Sequence, residues 1–278
     1  MHDAKEVIID EHMKRILVFL LVAVLLASCG EYQKLLKSND YQLIYKKAIE
    51  YYNKGDYQRS LSLLDGIHTV FSGTSKAQNI AYYRAFCSYN MKDYEIAANS
   101  FKQFIQTYPE SPFSEECLYM VGFCHYKASP KPRLDQTVTD KALNEFQLYL
   151  NRYPNSMRKE KINGYMDEMR DKLSYKAYLS AKNYYLREYY KAATISLQNC
   201  LKDYPTSKYR EEIMYMLFVS KYEMAVNSVE DKKLERYNNA QEEYYYFVDE
   251  YPNSKYADDL KKKYEEIHKY LENYNFEE

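Results

Sequence analysis

Cys117, Cys124 and His125 are the densest grouping of soft metal ligands in the sequence, and their separations of seven and one match no common zinc pattern. On a helix Cys117 and Cys124 would lie two turns apart, about 10 Å, beyond the reach of a disulfide. Cys87 could bridge to either across neighbouring helices, yet Cys87, Cys117, Cys124 and Cys200 all fall at positions that also read as core. His68 and His268 stand alone on separate segments. Adjacent carboxylates recur at Glu115-Glu116, Asp167-Glu168, Glu242-Glu243 and Asp258-Asp259, amid Lys and Arg, which is the pattern of a solvated helix face. Lys261-Lys262-Lys263 reads the same way, with phospholipid contact as its alternative. There is no Gly-rich phosphate loop and no nucleophile elbow. The expectation is a protein that is not an enzyme, with no catalytic residues, no metal and no cofactor.

The one residue placed for covalent chemistry is Cys29. Met13-Lys14-Arg15 is a short basic segment, followed by the apolar run Ile16 to Leu26 and then Ala27-Ser28-Cys29. Eleven apolar residues are too few to span a bilayer but fit the core of a secretory signal. Small residues directly before a Cys resemble a bacterial lipobox, which implies cleavage between Ser28 and Cys29 and a covalent lipid on Cys29. Residues 1–28 are therefore expected to be a signal peptide. Asp3, Glu6, Asp10 and Glu11 suit a signal badly, which favours Met13 as the true start. Gly30 follows the Cys where inner-membrane retention commonly uses Asp, so the outer membrane is the expected destination.

The elements that must follow are helices. The chain has 278 residues with 6 Gly, 7 Pro and no Trp, too little turn material for an all-β fold. Its net charge is −1, which lacks the basic surplus expected of a nucleic-acid binder. Tyr reaches 35, an excess that asks for a structural or binding explanation.

Self-comparison supplies one. Tyr-Pro-x-Ser occurs at Tyr108, Tyr153, Tyr204 and Tyr251, with a degenerate copy at Phe71. Each lies eleven residues after a small residue, in chain order Ser60, Ala97, Ala142, Ala193 and Ala240. A second small residue stands upstream of each, at Ala48, Ala85, Gly122, Ala181 and Ser220. Around these sit Tyr45 and Tyr52, Tyr82 and Tyr89, Tyr119 and Tyr126, Tyr178 and Tyr185, and finally Leu217 and Met224. Spacings of three and four place each set on neighbouring surface of one helix, where the small residue admits a second helix. Tyr-Pro ends the second helix, and the Ser is positioned to cap the next.

These positions resemble the tetratricopeptide repeat. The resemblance implies an all-α, right-handed α-solenoid of about five helix pairs plus a C-terminal helix. A tether over 29–37 leads into repeats 1–3 over 38–157. A connecting helix or insert over 158–173 precedes repeats 4–5 and the closing helix over 174–278. Repeats three and five each carry eight extra residues inside the hairpin.

A signal, a lipobox Cys, this length and the Tyr-Pro-x-Ser closures together resemble the BamD family, lipoproteins of the outer-membrane β-barrel assembly machinery. That resemblance implies a scaffold on the periplasmic face of the outer membrane. Its partners would be BamA, other assembly-machinery subunits and unfolded outer-membrane proteins. It further implies a substrate groove at Tyr45, Tyr52, Tyr82, Tyr89, Tyr119 and Tyr126, and a partner-binding C-terminal half at Tyr178, Tyr185, Leu217 and Met224. The bland account of the same tyrosines is helix packing. A repeat lipoprotein serving as an adaptor for cell-wall enzymes is the alternative function. A SusD-type glycan binder is usually far longer than this chain.

Overall fold

The structure, a computed structural model, describes residues 31–275. Cys29, Ser28 and the signal segment lie outside the described residues. Among the described residues the fold class is all-α: a short helix over 31–36, then five tetratricopeptide-like helix pairs followed by a C-terminal helix. The pairs are α1 (Tyr41–Asn53) with α2 (Tyr57–Ile67), α3 (Ser75–Asn90) with α4 (Tyr94–Thr107), and α5 (Ser114–Ala128) with α6 (Thr137–Arg152). They continue with α7 (Lys159–Leu186) and α8 (Tyr190–Asp203), then α9 (Arg210–Val226) and α10 (Glu230–Glu250), before α11 (Ala257–Asn275). None of these helices is long and apolar enough to cross a membrane.

The small-residue register explains the pairing. Ala48, Ala85, Ala181 and Ser220 on the first helices have no exposed surface, nor have Ser60, Ala97, Ala142, Ala193 and Ala240 on the second. A larger side chain at these points would hold the paired helices apart. Three hairpins turn identically. Gly55, Lys92 and Glu188 take φ of +80°, +69° and +60°. The next N–H, of Asp56, Asp93 or Tyr189, donates to the carbonyl of Tyr51, Ser88 or Tyr184 at 2.9 to 3.0 Å. This is a Schellman closure, which needs a left-handed residue at that position.

Tyr-Pro acts as expected. Tyr108, Tyr204 and Tyr251 sit near φ −130° and ψ +61° to +66°, out of the helical region, as a following Pro demands. The Ser does more than cap. Ser111, Ser207 and Ser254 each accept at Oγ from the N–H two residues on, at 3.0 to 3.3 Å, opening the turn that leads into the next helix. Their hydroxyls also bond Gln78, Ser174 and Glu211, on the first helix of the preceding repeat, at 2.7 to 2.8 Å.

The two eight-residue insertions resolve differently. In repeat three, Pro130 and Pro132 forbid helix and the extra residues form the loop 129–136. In repeat five, a stretch without Pro lengthens α10 to 21 residues. The added segment after repeat three runs without a break into the first helix of repeat four, giving the 28-residue α7.

Two compact units are formed. One comprises the described residues up to Ala128 together with Gln147–Tyr153; the other comprises Ser129–Phe146 and everything from Pro154 onward. In the first, Ile44, Leu63, Leu64, Ile67, Phe71 and Ile80 form a core against which Tyr45 and Tyr52 pack. In the second, Ala181, Leu197, Ile213 and Leu217 join α7, α8 and α9. Phe218, Tyr237, Phe247, Leu260 and Ile267 join α9, α10 and α11.

Candidate functional site

In the first unit the aromatic side chains connect ring to ring. Tyr52 meets Tyr83 edge-on at 4.9 Å, and Tyr83 meets Tyr82 at 5.8 Å. Tyr82 lies 4.5 Å from Phe86 and 4.7 Å from Phe113. Phe86 leads to Tyr89 at 6.3 Å and Tyr89 to Phe123 at 6.2 Å. Phe123 stacks on both Tyr119 and Tyr126, at 5.4 and 5.9 Å. Five of the six groove tyrosines expected from the sequence therefore share one network. Tyr45 stands apart, against Phe71 at 6.2 Å with the Lys76 ammonium 5.1 Å from its ring.

Exposure divides the set. Tyr119 is buried at 7%, whereas Tyr45, Tyr52, Tyr82, Tyr89 and Tyr126 are half-buried. Burial pushes the Tyr52 and Tyr82 hydroxyls up to about 12, so both stay protonated at neutral pH and can donate hydrogen bonds. Tyr52 Oη accepts from the Asn90 amide at 3.4 Å, leaving its own proton available. Half-buried neutral rings with hydroxyl tips suit apolar side chains and peptide carbonyls, at small entropy cost.

The second unit uses its tyrosines as clasps. Tyr178 is 5% exposed, its ring stacked on Tyr209 at 4.3 Å and its hydroxyl donating to Glu212 at 2.8 Å. Tyr215 stacks on Tyr256 at 4.0 Å and donates to Asp259 at 3.0 Å. Tyr222 donates to Glu266, and Tyr270 to Glu230 at 2.9 Å. Leu217, 1% exposed, is core; Tyr185 is half-buried between two apolar clusters, and half-buried Met224 receives the Thr194 hydroxyl at sulfur, 3.7 Å away.

Sequence reasoning did not single out Phe113, Tyr209 and Tyr256, although their signal is present. Each follows its Ser by two residues, its N–H is held by that Ser, and its ring packs on a first-helix tyrosine of the preceding repeat. The motif is thus Tyr-Pro-x-Ser-x-aromatic in three copies; the fourth has Arg158 in that place.

The thiols are structural. Cys87, Cys117, Cys124 and Cys200 are free and buried, and burial raises them to about 11, 12, 12 and 11. Among the described residues no three His, Cys, Asp or Glu converge as metal ligands would.

Residues 37–211 and 177–277 match the YfiO family model, described as outer membrane lipoprotein. The chain belongs to this family. Like other YfiO proteins it is an outer membrane lipoprotein. It is 26% identical over 204 residues to a BamD-type outer membrane protein assembly factor of Aquifex aeolicus, covering 72% of this chain and 67% of that one. To the outer membrane protein assembly factor BamD of Pasteurella multocida it is 22% identical over 201 residues, covering 69% and 77%. Both relatives are named as outer membrane protein assembly factors. Among solved structures it is similar to the TPR2AB domain–pHSP90 complex of yeast Sti1, at 13% identity and TM-score 0.38, covering 82% of this chain and 98% of that one.

Proposed function

We propose that this lipoprotein is a lipid-anchored scaffold component of the outer-membrane protein assembly (BAM) complex, held through Cys29 on the periplasmic face. It binds BamA and other assembly subunits and receives unfolded outer-membrane protein segments for insertion. The observation that carries this reading is the aromatic network from Tyr52 to Tyr126, most of its tyrosines half-buried, in a chain of the outer membrane lipoprotein family. Tyr45, Tyr52, Tyr82, Tyr89 and Tyr126 meet the substrate, and buried Tyr119 fixes the ring next to them. In the second unit, Tyr178 and Leu217 set the helix spacing from within, while Tyr185 and Met224 are the members able to touch BamA.

The work is binding without catalysis. A nascent barrel strand carries an unpaired edge and alternating apolar side chains, a combination that aggregates. Rings spaced along successive first helices can hold it extended, and the lipid anchor raises its effective concentration near the membrane partner. The test is a pull-down of the lipidated protein from detergent-solubilised outer membrane, with bound proteins identified by mass spectrometry. Recovery of a large barrel protein with periplasmic repeat domains supports the assembly role. Recovery of cell-wall enzymes in its place overturns it in favour of an adaptor.

A further inference from the structure

The short helix over 31–36 is docked on the first repeat. Tyr32 and Leu35 pack on the core of Ile44, Leu63 and Ile67, with the Tyr32 ring edge-on to Tyr51 at 5.9 Å and the Arg59 guanidinium 5.4 Å from its centre. The link to α1 is fixed as well. The Ser38 N–H donates to the Leu35 carbonyl at 3.1 Å, and the Asp40 N–H to the Ser38 hydroxyl at 3.0 Å. Asp40 in turn caps α1, accepting from the Leu43 N–H at 2.9 Å. Only Gly30 stands between Glu31 and Cys29, and two peptide units span about 7 Å at full stretch. A lipid on Cys29 would therefore hold this helix within the depth of one headgroup layer, roughly 5–7 Å.

The edge beside that anchor leaves apolar surface uncovered. Leu36 and Tyr41 are 43% and 38% exposed. Between the short helix, the start of α1 and the end of α2 lies an open cleft of about 240 Å³. Buried Ile44 and Leu63 line its floor, and Leu36, Tyr41 and Lys37 its rim. Lys34 and Lys37 are exposed, and among the described residues neither forms an ion pair or a side-chain hydrogen bond. The acids beside them are engaged. Asp40 serves the cap, and Glu31 is close enough to Lys47 to add to the upward shift that Glu50 chiefly causes there.

We propose that this edge of the first repeat is a phospholipid-contact surface that binds anionic bilayers independently of the lipid anchor. Leu36 and Tyr41 enter the boundary between headgroups and acyl chains, the level at which amphipathic Tyr rings sit, and Lys34 and Lys37 meet the phosphates. A protein partner does not fit there: a helix with its side chains is about 10–12 Å across, wider than the reach of the tether. The anchor supplies attachment, and this surface fixes which face of the repeat turns to the membrane. The assignment rests on the lipoprotein reading only in taking Cys29 as the lipid-bearing residue.

The chain has no Trp, so one introduced ring is a unique reporter. Leu36→Trp and Ile96→Trp, the latter at a 61% exposed position of α4, are each made in the full lipidated chain. Both are placed in vesicles of phosphatidylethanolamine and phosphatidylglycerol whose acyl chains are brominated near the glycerol end. The expected result is a blue shift and quenching at position 36, with position 96 unaffected. Quenching at both positions or at neither overturns the proposal. Vesicle sedimentation then uses the mature chain carrying Cys29→Ser, which has no lipid to hold it. It should bind vesicles containing phosphatidylglycerol, and Lys34→Gln and Lys37→Gln should each weaken binding about fivefold, the effect of one lysine beside an anionic surface. No binding, equal binding to phosphatidylcholine alone, or binding unmoved by either lysine overturns the proposal. So does a blue shift at position 36 that grows with protein concentration without vesicles, which would make the edge an interface between copies. The mass of the mature N-terminal peptide reports the Cys29 lipid separately, so loss of that reading and loss of this surface are distinguishable.

Discussion

The Tyr178 hydroxyl donates to the Glu212 carboxylate at 2.8 Å, joining the first helix of the fourth repeat to that of the fifth. Lys182, one turn along α7, donates to both Tyr178 and Glu212, at 2.8 and 2.7 Å. Burial alone would raise the Glu212 carboxyl; the bonds from Lys182 and Tyr178 outweigh it and hold the group below its ordinary value of 4.5. A carboxylate depressed in the folded state adds stability above its unfolded pKa, and that stability is lost as pH falls through the folded value. Lys182→Met should therefore cost about 1 kcal/mol at pH 7, discounted for a pair one-third exposed. In urea unfolding the gap to the parent chain should shrink toward pH 3. A gap that stays constant across that range means the clasp is not its source.

The three Schellman turns predict a graded response to glycine. Gly55, Lys92 and Glu188 hold the same left-handed position, at which a side chain costs about 1 kcal/mol. Lys92→Gly and Glu188→Gly should each raise the unfolding free energy by several tenths to about 1 kcal/mol, and Gly55→Ala should lower it by a similar amount. Nothing lies within 4 Å of a Cβ built at Gly55, so backbone strain alone would account for its loss. Denaturant midpoints at constant slope are the measure; a loss of stability in Lys92→Gly refutes the turn argument.

The repeat was legible because its constraints are local. Small residues at buried crossings, Tyr before Pro and the helical spacing of tyrosines are one-helix rules, and the structure has Ala48, Ala85 and Ala181 fully buried. What spacing could not tell was the division of labour. Tyr82 and Tyr178 occupy equivalent positions, yet Tyr82 is half-buried while Tyr178 is covered by Tyr209 and bound to Glu212. That difference is made by residues 31 to 34 positions later in the chain, Phe113 against Tyr209 and Glu212, and no helix period reports it. The loop 129–136 was visible as a Pro-rich insertion, but its bonds to Lys172 and Lys176 are long-range and were not.

Tyr82 and Tyr119 separate binding from packing. Tyr82 is half-buried and its hydroxyl stays protonated, while Tyr119 is 7% exposed and stacked on Phe123. Tyr82→Leu should weaken binding of an alternating apolar, barrel-strand peptide by about tenfold, the scale of a modest hot spot, and cost about 1 kcal/mol of stability through its lost ring contacts. Tyr119→Leu should leave peptide affinity nearly unchanged and lower the unfolding free energy by more, about 2–3 kcal/mol. Fluorescence anisotropy and calorimetry on the same samples give both readouts. Unchanged peptide affinity in Tyr82→Leu removes this residue from the groove.

Ser220 has a buried hydroxyl without a hydrogen-bond partner, at the point where α9 must admit a second helix. Ala48, Ala85 and Ala181 fill the equivalent crossings without a polar atom. An unpaired hydroxyl in such a place costs about 1–3 kcal/mol relative to one in water. Ser220→Ala removes only that oxygen, so the helices need not move. The expected gain is about 1 kcal/mol, or roughly 2–4 °C in Tm for a chain of this size. Part of any such gain is helix propensity, about half a kcal/mol at most. Ser180→Ala, at an exposed position of α7, measures that part alone. A gain at Ser220 no larger than at Ser180 would mean that the hydroxyl is satisfied in solution, by a water molecule or by the Met216 carbonyl one turn back.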